Sequence, residues 1–525
     1  MADYDEFLYD DHPFVETHPD NLSALGRLFA LHPAPPAQCR VLELGCALGG
    51  NIIPMAVSMP ESSFVGVDLS ARQVAVGLRE IEALGLQNVQ LFAQNILDVD
   101  ASLGSFDYIL CHGVYSWVPE EVQAKILRIC REQLRPEGIA YISYNTLPGW
   151  HMRGMIRDLL LREVDPSGLP EERIARGRAF LAFLDHLPGR MSAAQTWLKS
   201  EIKLLGQLSD QYLLYEHMVE HNKPQYFRDF ARDAARAGLQ YLADAHFTTM
   251  VPDRFGPEAA EMIDQMSSTI VDTEQYLDYL ELRFFRRTLL CHQDKRVDRG
   301  IDWQRLAGLW VSSSLAPASE APDLRGDTRE SFRSGSSTEL TTGLPLLKAA
   351  MVLLASEGPR GLAFEELCAR ARALLDEADP VAPTPADGEL LGSNLLGIFA
   401  RGYVELGGWE KPYVAAPGPR PVASPLARRQ AQIGKASCTN IAHVRVPVDG
   451  FDRALLARMD GSHDVEALVS LVIEDIAAGK VKVEVDGEPR TDRETILEVT
   501  EKKLVQLAKA ALLVPPAGSL ARDRP

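Results

Sequence analysis

Short apolar strands alternate with helical segments over residues 41–144, and this alternation limits the possible folds of the chain more than any other feature. Strands that are joined through helices run parallel, because each crossover helix returns the chain to the same edge of the sheet. A parallel sheet is covered by helices on both faces. We therefore predict a doubly wound α/β domain with strands at residues 41–44, 64–68, 89–92, 108–111 and 138–144.

The hydrophobic pattern changes along the chain and divides it into segments. After Gly149 the periodicity is helical, and apolar stretches at residues 238–247 and 284–291 then have the length of strands. Clusters of Ser, Gly, Pro and charge mark linkers. We predict a core with an N-terminal lid at residues 1–165, a helical insertion with strands that complete the sheet at 166–315, a linker at 316–342, a winged-helix-like domain of three helices and a hairpin at 343–416, a second linker at 417–425, and a small helical domain at 426–525.

The charge and the cysteines restrict the classes of partner and compartment. A net charge of −19 disfavours nucleic acid as a partner, since no long run of Lys and Arg offsets the repulsion of phosphates. The acidic start of the chain is unlike a secretory signal, and no stretch is apolar enough to span a bilayer. Seven scattered cysteines without a CxxC pair indicate free thiols. These features predict a cytoplasmic protein without membrane insertion and leave the oligomeric state open.

The first strand ends in a turn of small residues at positions 43–50, ELGCALGG. Small residues let the backbone approach a ligand closely, and Gly45, Ala47 and Gly50 also fit a degenerate dinucleotide fingerprint. Glu43 favours a different ligand. A carboxylate at this strand end suits the cationic ammonium and sulfonium groups of S-adenosylmethionine, whereas it would repel a pyrophosphate.

Two further strand ends support a nucleoside ligand. Asp68 ends the second strand, where a carboxylate can accept hydrogen bonds from both ribose hydroxyls, as in NAD-binding folds. Asn95 follows the third strand, where an amide can read the edge of adenine. This order is that of a class I, Rossmann-like methyltransferase core, and a core of this type without any cofactor is the alternative. We predict S-adenosylmethionine as the cofactor, bound by Glu43, Gly45, Cys46, Ala47, Gly49, Asn51, Asp68, Leu69, Gln73, Asn95, Ile96 and His112.

Polar and aromatic residues follow the fourth and fifth strands, where ligands of open α/β sheets bind. Methyl transfer is an in-line displacement, so a nucleophile must be aligned about 3 Å from the methyl group. An amine nucleophile must also be neutral, although free lysine has a pKa of about 10.4. The candidate catalytic residues are His112, Tyr115, Tyr144 and Asn145, and the candidate substrate residues are Trp117 and Trp150, for which core packing is the alternative.

One pattern has the spacing of metal ligands. His217 and His221 lie four residues apart on one predicted helix face and match the HxxEH spacing of some zinc proteases. A pattern of five residues arises easily by chance, and no obvious third ligand accompanies it. We therefore predict a packed or solvated helix face and no metal.

Motifs throughout the first 310 residues support a family assignment. CRVLELGCALGGN, FVGVDLSARQVAVG, FDYILCHGVYSWVP and SYNTLPGWHMRGMIRD in the core, with LLYEHMVEHNKPQYFRDF and GLQYLADAHF further along, resemble bacterial methyltransferases that carry a methyltransferase regulatory domain. That family includes protein-lysine methyltransferases that act on outer-membrane proteins. Two segments of the tail, SPLARRQAQIG and VDGFDRALLARMDGSHD, are similar to the C-terminal extension of the same family.

The resemblance carries expectations about individual residues. Two positions depart from the family pattern, because Ala47 replaces the usual middle glycine and Asn95 stands where an aspartate is common. An amide still reads adenine, so cofactor binding is expected to survive both changes. Among the residues named above, the resemblance implies a cofactor contact for Glu43, Gly45, Gly49, Asp68, Leu69, Asn95, Ile96 and His112. It also implies a lid over the pocket made of Tyr9, Pro13, Phe14, Thr17 and His18. Of these, Tyr9 and Phe14 are expected to bind the cofactor.

The resemblance implies an S-adenosylmethionine-dependent methyltransferase that modifies lysine amines of a protein, and an acidic chain would attract a lysine-rich surface. A methyltransferase for a small metabolite is one alternative, which a deep, closed and apolar pocket would favour. A non-catalytic cofactor-binding regulator with the winged helix as its output is another. Residues 390–401, the candidate recognition helix, contain one basic residue, which disfavours DNA binding.

Overall fold

The structure, a computed structural model, describes residues 12–165, 167–186, 192–219, 221–335, 338–375, 384–485 and 488–516. Its first part alternates strands and helices as the apolar pattern predicts. The inner strands are buried along almost their whole length, as expected for a parallel sheet covered on both faces. The elements are α1 (Pro19–Leu28), β1 (Arg40–Leu44), α2 (Ile52–Ser58), β2 (Ser63–Asp68), α3 (Ala71–Leu84), β3 (Val89–Ala93), β4 (Phe106–Cys111), α4 (Glu120–Gln133), β5 (Leu134–Leu147) and α5 (Gly149–Glu163).

The middle part is a helical excursion that returns to the sheet. Its helices bury their apolar faces in a separate cluster that includes Leu160, Leu181 and Leu214. The elements are α6 (Pro170–Asp185), α7 (Ala193–Gln207), α8 (Asp210–Tyr212), a π-helical turn (Leu213–His217), β6 (Gln225–Tyr226), α9 (Phe227–Arg236), β7 (Leu239–Asp244), α10 (Pro257–Met266), α11 (Ile270–Glu281) and β8 (Phe285–His292).

The order of the strands across the central sheet is β3-β2-β1-β4-β5-β8-β7. Strands β2, β1, β4 and β5 pair in parallel, whereas β8 runs antiparallel between β5 and β7. The chain order therefore reverses between β1 and β4, and the loops that follow these two strands diverge and leave a crevice. These findings confirm the predicted doubly wound core and the completion of its sheet after a helical insertion.

Residues 316–342 differ from the predicted linker, because they contain three short strands of a separate antiparallel sheet. Phe332 is buried while its neighbours are polar, so the period-two pattern of a half-buried strand is hidden within a composition typical of linkers. The elements of this part are β9 (Trp310–Ser312), β10 (Ala316–Pro317), β11 (Glu330–Ser334), β12 (Thr338–Thr342), α12 (Pro345–Glu357), β13 (Leu362–Ala363), α13 (Phe364–Leu375), α14 (Pro385–Phe399) and β14 (Glu405–Gly407).

The three predicted helices of residues 343–416 are present, but the predicted hairpin is not formed. Strand β14 pairs with β9, which lies before the helices in the chain, and β9 also pairs with β13. The last part of the chain folds around its own core, with the elements α15 (Pro425–Gln432), β15 (Ser437–Thr439), β16 (Arg445–Pro447), α16 (Gly450–Leu456), α17 (Val465–Ala477), β17 (Glu484–Val485), β18 (Glu488–Pro489) and α18 (Arg493–Lys509).

The described residues include no helix with both the length and the apolar character needed to cross a bilayer. All seven cysteines are buried free thiols. Burial raises the pKa of the Cys39 and Cys130 thiols to about 12, so these two groups are protonated at neutral pH and are not nucleophiles.

Candidate functional site

A cavity of about 840 Å³ lies beyond the carboxyl ends of β1, β2 and β4, at the crevice where the strand order reverses. The core supplies one end of the cavity, and the middle part of the chain supplies the other. Most residues predicted to bind the cofactor line it, namely Phe14, Glu43, Gly45, Cys46, Ala47, Asn51, Asp68, Leu69, Gln73, Asn95, Ile96 and His112.

The turn after β1 is held close to the sheet by β2. Gly45 has φ +79°, and a Cβ atom at this position would lie 2.3 Å from Val114 Cγ2, so only glycine fits without a shift of the turn. Ala47 also adopts a left-handed conformation, with φ +47°, and its backbone N–H donates to Asp68 Oδ2 at 2.9 Å. The departure from the family glycine at position 47 is therefore accommodated, and Asp68 fixes the turn it faces.

Glu43 is a buried carboxylate at the end of β1, and it is 3% exposed. Asn51 Nδ2 donates to Glu43 Oε1 at 2.7 Å. The same amide accepts through Oδ1 from the backbone N–H of Phe14 at 3.0 Å, and it hydrogen-bonds to Thr17. The lid segment, residues 12–18, is thus fastened to the carboxylate through Asn51.

His112 follows β4 and lies between the lid and the sheet. Its ring stacks on Phe14 with 3.7 Å between ring centroids, and Nδ1 is hydrogen-bonded to the Tyr141 hydroxyl at 2.8 Å. Burial lowers the pKa of His112 to about 4. The imidazole is neutral at pH 7 and is too weak a base to deprotonate an ammonium group efficiently, so its contacts suit it to shape the cofactor end of the cavity.

Four predicted cofactor residues need separate comment. Asn95 lines the cavity while its Oδ1 accepts from the backbone N–H of Leu97 at 3.0 Å, which is an Asx-turn. Gln73 is buried on the first turn of α3. Gly49 does not line the cavity, because it lies behind the turn against Ile53. Tyr9 is outside the described residues.

Two predicted catalytic residues, Tyr115 and Tyr144, do not line the cavity. Tyr144 stacks on Phe230 with 4.2 Å between centroids, and Tyr115 packs edge-on against the same ring. Burial raises the pKa of both hydroxyls, and Tyr144 hydrogen-bonds Thr288 Oγ1 at 3.1 Å. The two tyrosines therefore belong to the core behind the sheet, which corrects their assignment as catalytic groups.

Asn145 and both predicted substrate tryptophans do line the cavity. Asn145 is held by its backbone N–H, which donates to Ser116 Oγ at 2.9 Å, and by its Nδ2, which donates to Asn222 Oδ1 at 3.1 Å. Trp117 and Trp150 meet edge-to-face at 6.3 Å. One end of the cavity is therefore lined by an aromatic pair beside a fixed amide.

Several residues that line this end were not predicted, and they come from the middle part of the chain. They are Ser209, Gln211, Tyr212 and Glu216 before and within the π-helical turn, with Arg153, Glu281, Arg283 and Phe284. Arg153 and Glu216 lie within the family motifs SYNTLPGWHMRGMIRD and LLYEHMVEHNKPQYFRDF, but neither motif indicates a role in the site. A helical insertion after the fifth strand is the segment from which such a wall would come.

Glu216 is a carboxyl group at the wall of the cavity, and the described residues include no salt bridge to it. Burial raises the pKa of Glu216 to about 7, against the opposing effect of Arg153 and Arg157. Arg153 lies 2.8 Å from Glu201 instead, and its guanidinium covers the Phe284 ring at 3.6 Å. Glu216 therefore exchanges protons near neutral pH at the wall of the cavity.

His217 follows Glu216 and faces the other way, stacked on Trp150 at 6.0 Å. Its two ring nitrogens are buried without a hydrogen-bond partner among the described residues, and burial lowers its pKa to about 3. His221, its predicted neighbour on a helix face, instead hydrogen-bonds the Val118 carbonyl through Nε2 at 2.9 Å. The described residues contain no cluster of metal ligands at these histidines.

Replacement of His217 with phenylalanine is expected to stabilise the protein by about 1–2 kcal/mol at pH 7, because it keeps the stacked ring and removes unpaired buried nitrogens. The His217 imidazole takes up a proton only below about pH 3 in the folded protein, whereas in the unfolded chain it does so below about pH 6.5. His217 therefore lowers the free energy of unfolding as the pH falls from 6.5 towards 3. Urea unfolding at pH 7 and pH 5.5 measures both effects. If the free energy of unfolding of the variant at pH 5.5 were as low as that of the unaltered protein, the assignment of a buried neutral imidazole would be wrong.

Three family models match the chain. A methyltransferase domain matches residues 41–138, and a predicted methyltransferase regulatory domain matches residues 209–292. The PKMT C-terminal winged helix domain matches residues 419–512, the segment in which the sequence predicts a small helical domain. The regulatory-domain match includes Glu216 and the strands that complete the sheet.

Relatives and solved structures match almost the whole chain. It is 34% identical to "Uncharacterized protein RP789" of Rickettsia prowazekii over 510 residues, which are 95% of this chain and 90% of that protein. A second protein of that bacterium, RP028, is 39% identical over 240 residues, 46% of this chain and 96% of its own. The structure of PKMT2 from Rickettsia typhi covers 97% of this chain and 100% of its own, with 30% identity and a TM-score of 0.86, and it is also known in complex with AdoHcy.

Proposed function

Because this chain belongs to the family of bacterial S-adenosylmethionine-dependent methyltransferases represented by PKMT2 of Rickettsia typhi, we propose that it methylates lysine side-chain amines of a protein substrate. The chain is a methyltransferase whose cofactor is S-adenosylmethionine. The choice of a protein lysine as acceptor rests on the cavity. The carrying observation is that its substrate end combines the Trp117–Trp150 pair with Glu216, a carboxyl group whose pKa is raised to about 7.

The polar side chains of the core fit S-adenosylmethionine better than they fit a dinucleotide such as NAD. Glu43 would face the ammonium group of the cofactor and Asp68 its ribose hydroxyls, because each ends a strand at the cavity. The carboxylate of Glu43 would repel a pyrophosphate, whereas the ribose contact of Asp68 is common to both classes of ligand. Asn95 and Ile96 would flank the adenine, and Phe14 with His112 would close the lid.

The charge of the cavity favours a cationic acceptor. Six acidic side chains line it against three arginines, and no lysine is among its lining residues. Arg287 is neutralised by Glu16 at 2.8 Å, and Arg283 by Glu281 at 2.6 Å. A lysine side chain would be drawn into a field that is negative on balance.

S-adenosylmethionine supplies an electrophilic methyl group, so the protein has to align the acceptor nitrogen, remove its proton and exclude water. Trp117 and Trp150 form an edge-to-face pair at the wall of the cavity, where a methylene chain could pack and a cation would be stabilised beside the rings. Asn145 can accept a hydrogen bond from the amine. We propose that Glu216 takes the proton from the ammonium group, because its raised pKa is matched to neutral pH.

The seven free thiols are consistent with a reducing compartment, and we propose that the protein acts in the cytoplasm. The regulatory domain and the C-terminal domains would then present the protein-binding surface around the cavity, with no nucleic acid involved.

Methyl transfer to lysine is expected when the purified protein is incubated with methyl-labelled S-adenosylmethionine and lysine-rich proteins. Acid hydrolysis of the labelled product should release methyl-lysine. Prior acetylation of the substrate lysines should abolish labelling, since an amide nitrogen carries no charge and its lone pair is delocalised into the carbonyl group. Label transferred only to small molecules of a deproteinised extract would favour a metabolite methyltransferase. Cofactor binding without any transfer would favour a regulator.

A further inference from the structure

The C-terminal domain contributes a histidine to the far side of the cofactor site. His443 Nε2 lies 2.8 Å from Oδ1 of Asn51, the residue that holds Glu43, although 392 positions separate the two in the chain. Both side chains are buried, and His443 is 3% exposed. The sequence gives no sign of this contact, because it arises only when the C-terminal domain packs on the core.

The hydrogen bonds of Asn51 fix the direction of this contact. Its Nδ2 donates to the carboxylate of Glu43, which only accepts, and its Oδ1 accepts from the backbone N–H of Phe14. His443 must therefore donate through an Nε2–H group. Burial holds the pKa of His443 well below its ordinary value, so the ring is the neutral tautomer that carries this proton.

The backbone around His443 is built to present the ring. His443 has φ +63° in the tight turn between β15 and β16, a left-handed conformation that is uncommon outside glycine. Asn440 holds the turn, because its Oδ1 accepts from the Val444 N–H at 2.8 Å and its carbonyl accepts from the His443 N–H at 3.1 Å. A strained residue with a buried polar side chain indicates a functional constraint.

Two ion pairs fasten the neighbouring surfaces. Arg429 on α15 meets Glu80 on α3 at 3.3 Å, and Lys411 meets Asp20 at the start of α1 at 2.8 Å. The His443 ring also packs on His18, with 5.1 Å between centroids. The turn is thus held against both the lid and the first turn of α1.

We propose that His443 is a positioning residue for the cofactor, through which docking of the C-terminal domain orients Asn51 and Glu43 for the amino-acid end of S-adenosylmethionine. The inference rests on the proposed contact of Glu43 with the ammonium group. It makes the C-terminal domain part of the cofactor site and links any movement of this domain to cofactor affinity. It does not depend on the identity of the methyl acceptor.

The test compares three ligands by calorimetry on the full-length protein. His443→Ala is expected to weaken binding of S-adenosylmethionine and S-adenosylhomocysteine about tenfold, the loss typical of one buried hydrogen bond to a polar network. Binding of 5′-methylthioadenosine, which lacks the amino-acid end, should change less than about twofold. His443→Gln, whose amide N–H can replace Nε2–H, should restore most of the affinity for the first two ligands.

The controls separate positioning from general destabilisation. His463→Ala alters an exposed histidine of the same domain and should bind all three ligands normally. Equal weakening of all three ligands in His443→Ala, or unchanged affinity for S-adenosylhomocysteine, would overturn the proposal. If Glu43→Gln left S-adenosylhomocysteine binding unchanged, the assignment of Glu43 itself would fail, which distinguishes an error in the cofactor site from an error about His443.

Discussion

Alanine at position 68 is expected to raise the Kd for S-adenosylmethionine and S-adenosylhomocysteine more than a hundredfold. Asp68 ends β2 at the cavity, where its carboxylate would accept from both ribose hydroxyls. Each hydrogen bond to a charged acceptor contributes about 1.5–3 kcal/mol, so loss of two costs at least about 3 kcal/mol of binding free energy. Asp68 also accepts from the backbone N–H groups of Ala47 and Ser70, so the glycine turn would loosen as well.

Calorimetry with three ligands checks this prediction. Asp68→Asn keeps the shape and one acceptor oxygen and should bind with intermediate affinity. Glu82→Ala, which removes an exposed carboxylate from the helix that follows β2, is the matched control and should bind normally. NAD should give no signal with the unaltered protein, because Glu43 disfavours a pyrophosphate. Tight NAD binding that Asp68→Ala abolishes would instead return the turn to the dinucleotide class.

The cofactor end of the site could be predicted from the sequence because its determinants are local. A strand that ends in a carboxylate and a turn of small residues places that carboxylate at the sheet edge whatever the rest of the chain does. Glu43 and Asp68 lie where this reasoning puts them.

The errors at the two tyrosines have a geometric cause. The predicted fifth strand ends at residue 144, whereas β5 continues to Leu147. Tyr144 is therefore inside the strand, and its side chain points to the face opposite that of Asn145, which lines the cavity. Tyr115 and Trp117 share one short 3-10 turn, and such a turn directs residues two apart to different sides. An error of a few residues in a predicted strand boundary is therefore enough to assign a core residue to the site.

Other parts of the site depend on contacts between distant segments. Glu216 reaches the cavity because an insertion after the fifth strand folds back over the sheet, and His443 because a separate domain docks on the lid. His443 lies outside every motif quoted for the family, and Glu216 lies inside one, LLYEHMVEHNKPQYFRDF, that does not indicate its role. The burial that sets the chemistry of both residues exists only in the folded chain. In residues 316–342 the signal is local but weak. The composition is that of a linker, although single buried residues such as Phe332 specify strands there.

Glutamine at position 216 is expected to reduce kcat/KM for a lysine substrate about a hundredfold, the lower range for loss of a general base. The reduction should appear mainly in kcat, because Trp117 and Trp150 still hold the side chain. Desolvation raises the pKa of Glu216 to about 7, so the carboxylate is protonated and inactive below that pH. For the unaltered enzyme, kcat/KM should therefore rise with pH and level off above about 7.

The pH profile separates a base from a carboxylate that only attracts the substrate. If Glu216 accepts the proton, the limb near pH 7 disappears in Glu216→Gln and the remaining activity follows the titration of the lysine amine itself, near its ordinary pKa of about 10.4. If Glu216 only attracts the substrate, KM rises while the limb stays in place. Glu171→Gln, an exposed residue of α6, serves as the control and should retain both the rate and the profile. A Glu216→Gln enzyme with the unaltered rate and limb would transfer the role of base to bulk water.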